Sequence, residues 1–150
     1  MASYSGWASS FGKTEQGVEA ARRALRLDPN GPTWTYLPYR WAFLIAGRYD
    51  DALAMHLRRP RPSYGITDLW EGATVLAVVG RQKEAEALAQ EAVKQSPDLS
   101  IEEYVSDASP VAEERQRLAD AMKKAGLPLC ASAEKRKGYP EMIPFPECQP

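Results

Sequence analysis

One histidine, two cysteines and a few paired acids are the side chains of this 150-residue chain that could do chemistry. His56 stands beside Arg58 and Arg59, with no serine or cysteine placed to act as its nucleophile. Cys130 and Cys148 lie far from that single histidine, so a zinc ligand set cannot be assembled. The two thiols read as free cysteines of a cytosolic protein; a bond between them could only staple the tail. Asp50 with Asp51, and Glu102 with Glu103, are adjacent acids whose side chains diverge on a helix. They fit helix capping and solubility better than general acid–base work. Two basic runs remain, Arg58, Arg59 and Arg61, and Lys135, Arg136 and Lys137. Such runs can hold phosphate or an acidic peptide, but short charge runs are usually solvated turns, and these two read as such. There is no Gly-rich phosphate loop. The expectation is a chain without catalytic residues, metal or cofactor.

The composition agrees. The chain is long enough for one domain. Hydrophobic residues make up 44% and charged residues 26%, too apolar a balance for a disordered chain. A net charge of −1 gives no electrostatic footprint for nucleic acid. The opening MASYSGWASS has neither a basic region nor an apolar stretch of the kind signal peptides carry. No run approaches the length of a membrane span. These features together predict a cytoplasmic protein.

The elements that position these residues follow from a repeated phrase. Residues 43–55, FLIAGRYDDALAM, and residues 76–88, LAVVGRQKEAEAL, share an apolar run, Gly-Arg, two spacers, an acid and an alanine. A fainter copy, ASSFGKTEQGVEA, occupies residues 8–20. Gly12, Gly47 and Gly80 lie 35 and 33 residues apart, a period typical of stacked helix pairs. Glycine there permits the left-handed conformation that ends a helix. Asp50, Asp51 and Glu84 then open the next helix, where its dipole favours negative charge. Ala52 and Ala85 are small enough for the two helices to approach closely. Asp28-Pro29 and Ser96-Pro97 stop the second helices. The reading predicts helix pairs that break at Gly12, Gly47 and Gly80, with no β-sheet.

On these residues the chain resembles the tetratricopeptide repeat over roughly residues 4–97. Gly12, Gly47 and Gly80 match that family's turn glycine, Ala52 and Ala85 its small residue, Ala24 and Ala92 its later alanine, and Pro29 and Pro97 its closing proline. Repeat two departs: Arg59 replaces the late alanine, Pro60 and Pro62 come early, and Pro38 must either delay or kink the first helix. Repeat one carries Gly17 in the small-residue slot. The phrase KKAGLP, residues 123–128, together with the Gly-Arg-x-x-Glu-Ala helix pair, also resembles the carboxy-terminal repeat region of bacterial class III adenylate cyclases and winged-helix regulators. The fold implied is an all-α, helix-turn-helix repeat solenoid over residues 1–126. It ends in C-terminal capping helices, with an extended, Pro-punctuated tail at 127–150.

The resemblance places a concave groove on the first helix of each pair, with Trp34, Leu37, Trp41, Leu44 and Ile45 from repeat two. Repeat three supplies Thr67, Trp70, Thr74, Ala77 and Val78. These rings either line a peptide groove or form core. The function implied is a non-catalytic interaction or scaffold module binding a peptide or protein partner, without nucleic acid or membrane. The alternative is a small-molecule sensor regulating a fused output domain such as a cyclase. Tyr4, Trp7 and Phe11 form a face expected to self-associate as a two-fold dimer. The tail carries Tyr139, Met142, Ile143 and Phe145, and residues 138–147 are expected to lie in the Trp34/Trp41/Trp70 groove, in the same chain or a neighbour's.

Overall fold

The computed structural model describes residues 1–149; Pro150, the last residue of the predicted tail, lies outside them. Nine α-helices and no strand occur among the described residues. Six helices form three consecutive hairpins, α1 (Ala2–Ser10) with α2 (Thr14–Leu27), α3 (Tyr36–Ile45) with α4 (Tyr49–Leu57), and α5 (Ile66–Val78) with α6 (Gln82–Gln95). Each hairpin turns at the expected glycine, and Gly12, Gly47 and Gly80 all have φ between 70° and 85°. An L side chain is disfavoured there, which is why the repeated phrase keeps this residue.

Patterning explains which helices are inside. On α6, Ala85, Leu88, Ala89 and Ala92 are buried while the residues between them face solvent, a stripe at i, i+3, i+4 and i+7. On α5 every residue from Asp68 to Ala77 is buried, so this helix runs through the centre. Small residues set the closest approaches. A Cβ at Gly17 would stand 2.2 Å from Ser9 Oγ and 2.5 Å from the Ser5 carbonyl oxygen, so α1 and α2 can meet only at a residue without a side chain. Pro38 delays its helix rather than kinking it. A 3-10 turn at Thr33–Thr35 leads in, and Pro38 falls in the first turn of α3, where its missing N–H has no helical partner to lose. The early Pro60 and Pro62 leave α4 at 9 residues against 14 for α2 and α6.

The segment after Pro97 is not a cap stacked only on the end of the hairpins. Helix α7 (Ile101–Ser106) leads to α8 (Ala112–Lys124), which packs on α5, α3 and α7. Along α8 the contacts pass from one hairpin turn to the next. A Cβ at Gly12 would meet Pro110 at 3.0 Å, and Thr14 Oγ1 donates to Glu114 at 2.6 Å. Arg117 donates to the Ile45 carbonyl beside Gly47. The Gln82 amide donates to the Lys124 carbonyl at 3.2 Å. Thirteen residues of helix measure about 20 Å, enough to cross three hairpins packed 8–10 Å apart. Helix α8 is therefore a strap over the turn ends.

The tail also departs from expectation. It wraps α7 and does not enter the tryptophan groove. The amides of Ile101 and Glu102 donate to the carbonyls of Pro128 and Leu129, at 2.8 and 3.0 Å. Helix α9 (Ala133–Gly138) follows. The Ile143 amide then donates to Ser106 Oγ at 2.9 Å, and Phe145 and Cys148 join the core. Cys130 and Cys148 form a disulfide, not two free thiols, and it closes a loop of sequence separation 18. Glu102 is the anchor. Its Oε2 accepts from the Ala131 amide at 2.8 Å and from Arg136 Nη2 at 2.9 Å, and its Oε1 accepts from the Phe145 amide at 3.1 Å. The solubilising reading of Glu102 is thereby overturned, because its side chain is fully buried. Two residues of each basic run are likewise paired. Arg59 binds Asp68, Arg61 binds Glu91, Lys135 binds Glu103 and Arg136 binds Glu102. No helix among the described residues is long and apolar enough to cross a membrane.

Candidate functional site

A buried ionic cluster ties the hairpins together beneath the main cavity. Arg40 of α3 is fully buried within the apolar run LPYRWAFL. Its Nε donates to Glu71 Oε2 at 2.7 Å, its Nη1 to Asp68 Oδ1 at 3.1 Å, and its Nη2 to the Thr67 carbonyl at 3.2 Å. Asp68 and Glu71 lie three apart on α5 and so share one face. Asp68 also accepts from Arg59 and from the Gly65 amide that caps its own helix. Burial acts to raise the Asp68 carboxyl, but Arg59 and Arg40 outweigh it and hold it below the ordinary range. The Tyr104 hydroxyl of α7 donates to Glu71 Oε1 at 3.0 Å. Burial, then the Glu71 charge, push that phenol well above its ordinary range, so it stays a donor.

His56 is buried near Arg40 and Asp68 of this cluster. Its ring packs against Gly72, where a Cβ would come within 2.4 Å of Cε1, and its Nε2 is 3.2 Å from the Tyr64 hydroxyl. Burial first, then the positive charge of Arg40, lower its pKa from 6.5 to about 4. The unfolded chain takes up this proton as pH falls below 6.5, whereas the folded chain resists until about 4. Stability is therefore expected to fall by about 2–3 kcal/mol between pH 7 and 4.5 through this group alone. Urea denaturation of the protein and of His56→Gln at both pH values checks it. The difference between the two proteins should shrink by that amount at the lower pH, and a constant difference would remove the assignment.

Above the cluster opens a cavity of about 610 Å³ between α1, α3, the start of α5, and α7. Its aromatic lining is Trp7, Trp34, Trp41 and Tyr104, with Leu37, Pro38 and Leu99 between. The Trp41 indole N–H donates to Ser10 Oγ at 3.0 Å, and Tyr104 meets Trp41 edge-on, with ring centroids 5.6 Å apart. These bonds fix two of the rings, while Trp7 and Trp34 are 69% and 56% exposed. Three acidic residues, Glu71, Glu103 and Asp107, also belong to the lining.

Of the groove residues read from the sequence, Trp34, Leu37, Trp41 and Thr67 reach this cavity. Leu44, Ile45, Trp70 and Thr74 do not; they are buried in the core. Trp70 is stacked on Tyr104 at 5.3 Å, and its indole N–H points to the Met122 sulfur at 3.3 Å. The cause is α7 and α8, which pack over these residues and leave only Trp34, Leu37, Trp41 and Thr67 at the open cavity. Tyr104, Glu103 and Asp107 were missed because they come from that covering segment. Glu71 did carry a signal, as a lone acid in LWEGATVLAVV matched by a lone arginine, Arg40, in α3, the first helix of the preceding hairpin. Tyr4, Trp7 and Phe11, the predicted self-association face, all remain more than half exposed. Comparison of the chain with family models, with curated proteins and with solved structures yields no match.

Proposed function

We propose that the chain is a non-catalytic binding domain of tetratricopeptide-like repeats. It takes up a segment of a peptide or protein partner in the cavity between α1, α3 and α7. The observation that carries this is the pairing of two exposed indoles, Trp7 and Trp34, with two fixed rings, Trp41 and Tyr104, around one cavity. Exposed aromatic rings beside a preformed concavity are the usual anchors of recognition. The test is a Trp7→Ala/Trp34→Ala double variant against an array of random peptides. Both side chains are largely exposed, so the fold should persist. Binding by the unmodified protein is expected to weaken at least tenfold in the variant. Equal binding by both would overturn the reading. A small-molecule sensor regulating a fused output domain is the second reading. It is favoured by α7 closing one side of the groove, which leaves a volume within the range of small-ligand sites.

A further inference from the structure

Helix α7, which carries the Tyr104 wall of the cavity, is six residues long. A helix that short has no stability of its own, so its place depends on what grips it. On the cavity side Tyr104 stacks on Trp70 and bonds Glu71, and α8 packs alongside. The rest of the grip comes from the tail. The Ile101 and Glu102 amides belong to the first turn, which a helix leaves without internal partners, and they donate to the carbonyls of Pro128 and Leu129. Glu102 then holds the Ala131 and Phe145 amides and Arg136, and Lys135 binds Glu103 at 3.1 Å. At the far end of α7, Ser106 accepts from the Ile143 amide and Asp107 from the Tyr139 hydroxyl. The tail thus runs the length of α7 and back, and one bond closes it. Cys130 follows directly on Leu129, and Cys148 lies just past Phe145. Cys130 is exposed and Cys148 is buried, so the bond has one open side.

We propose that Cys130–Cys148 is a redox-modification site whose reductant is a dithiol, and that its state sets whether the cavity keeps its α7 wall. A thiolate of the dithiol attacks Cys130 Sγ, the sulfur–sulfur bond breaks, and Cys148 leaves as a thiolate that takes up a proton. The second thiol of the reductant attacks the mixed disulfide, frees Cys130 as a thiol and leaves the reductant as a cyclic disulfide. Two electrons and two protons have then passed to the chain. The closed bond restricts a tail that has come off α7; with the bond open, the detached tail gains that freedom and is populated more. When the tail is off, α7 loses the carbonyls that complete its first turn, and Tyr104 is no longer held against Trp41. Oxidation restores the wall. Control of binding by this bond rests on the peptide-binding reading above; the coupling of the bond to α7 does not.

The test uses the whole chain, oxidised and after treatment with dithiothreitol, a small dithiol. Amide exchange at Tyr104, Val105 and Ser106 is expected to rise about a hundredfold on reduction, the population shift that opening a loop of this size implies. Helices α3 and α5 should stay protected, and reoxidation should reverse the change. Cys130→Ser/Cys148→Ser should match the reduced protein and ignore dithiothreitol. Should that variant fail to fold, the reduced and reoxidised chain still decides. Faster exchange in the tail alone, with Tyr104, Val105 and Ser106 unchanged, would overturn the inference. So would an equal rise in α3 and α5, since the bond would then serve the whole fold. Peptides from the random array carry the test to the cavity. Those that depend on Trp7 and Trp34 should bind at least about tenfold more weakly to the reduced protein. Unchanged binding while α7 loosens would overturn control of the cavity and leave the peptide reading standing. If the array yields no binder, the peptide reading fails and the exchange at α7 alone decides the inference.

Discussion

Replacing Arg40 by Met is expected to destabilise the protein by about 3–5 kcal/mol. The guanidinium is fully buried and serves two carboxylates and a carbonyl. Its loss strands Glu71 more than Asp68, because Asp68 keeps Arg59. Burial already pushes the Glu71 carboxyl up against the opposing pull of Arg40. Without that pull the folded variant should hold the Glu71 proton to higher pH than the unfolded chain does. The folded state then binds more protons, so stability should fall as pH rises through that window. Denaturation at pH 7 should show the loss, and it should be partly recovered near pH 5. Adding Glu71→Met to Arg40→Met should also recover stability, since removing both partners of a buried pair costs less than removing one. Additive losses in the double variant would show that the pair is not coupled.

A second large effect is expected at Glu102. Truncation by Glu102→Ala leaves the Ala131 and Phe145 amides and the Arg136 guanidinium without their acceptor. At roughly 1–3 kcal/mol for each stranded buried donor, a total of about 3–5 kcal/mol is expected. The damage should be local. Amide exchange at Ala131 and Phe145 should rise by orders of magnitude, while α3 and α5 stay protected. Unchanged protection at both amides would show that Glu102 does not hold the tail. Reducing the Cys130–Cys148 bond should weaken the same segment by about 3 kcal/mol in a loop-entropy account. Because both restrain one segment, the two losses should not add.

The hairpins were legible because their signals are local. A positive φ at Gly12, Gly47 and Gly80 is a demand on one residue, and the sequence must meet it at that residue. Pro60 and Pro62 shortened α4 for the same reason. Which surface a later helix covers is not local. Nothing in AEERQRLADAMKK distinguishes a helix stacked on the last pair from one laid across three turns, since either buries Leu118 and Met122. The candidate site was half legible for that reason. Trp34, Leu37 and Trp41 follow from the repeat register, but the wall contributed by α7 does not. The tail was misplaced because its partners on Glu102 are backbone amides, which every residue but proline carries. Its aromatic residues drew attention to a groove where Tyr104 already packs against Trp41 and Trp70.

The disulfide has a mechanical consequence. Its two Cα atoms are 5.4 Å apart, yet the chain between them is 18 residues by sequence separation. A pulling force applied at the carboxy-terminal end passes through the sulfur–sulfur bond at Cys148 straight to Cys130. From there it reaches the short backbone pairing of Pro128 and Leu129 with the first turn of α7. The covalent path bypasses residues 131–147, so they are not extended, and they resist only through their contacts with α7, the bonds to Glu102 above all. In a force-extension experiment the oxidised protein should therefore unravel with a contour length about 60 Å shorter than the reduced protein. Under tension the first element to yield would be the seam at Pro128, well before the aromatic cavity is disturbed.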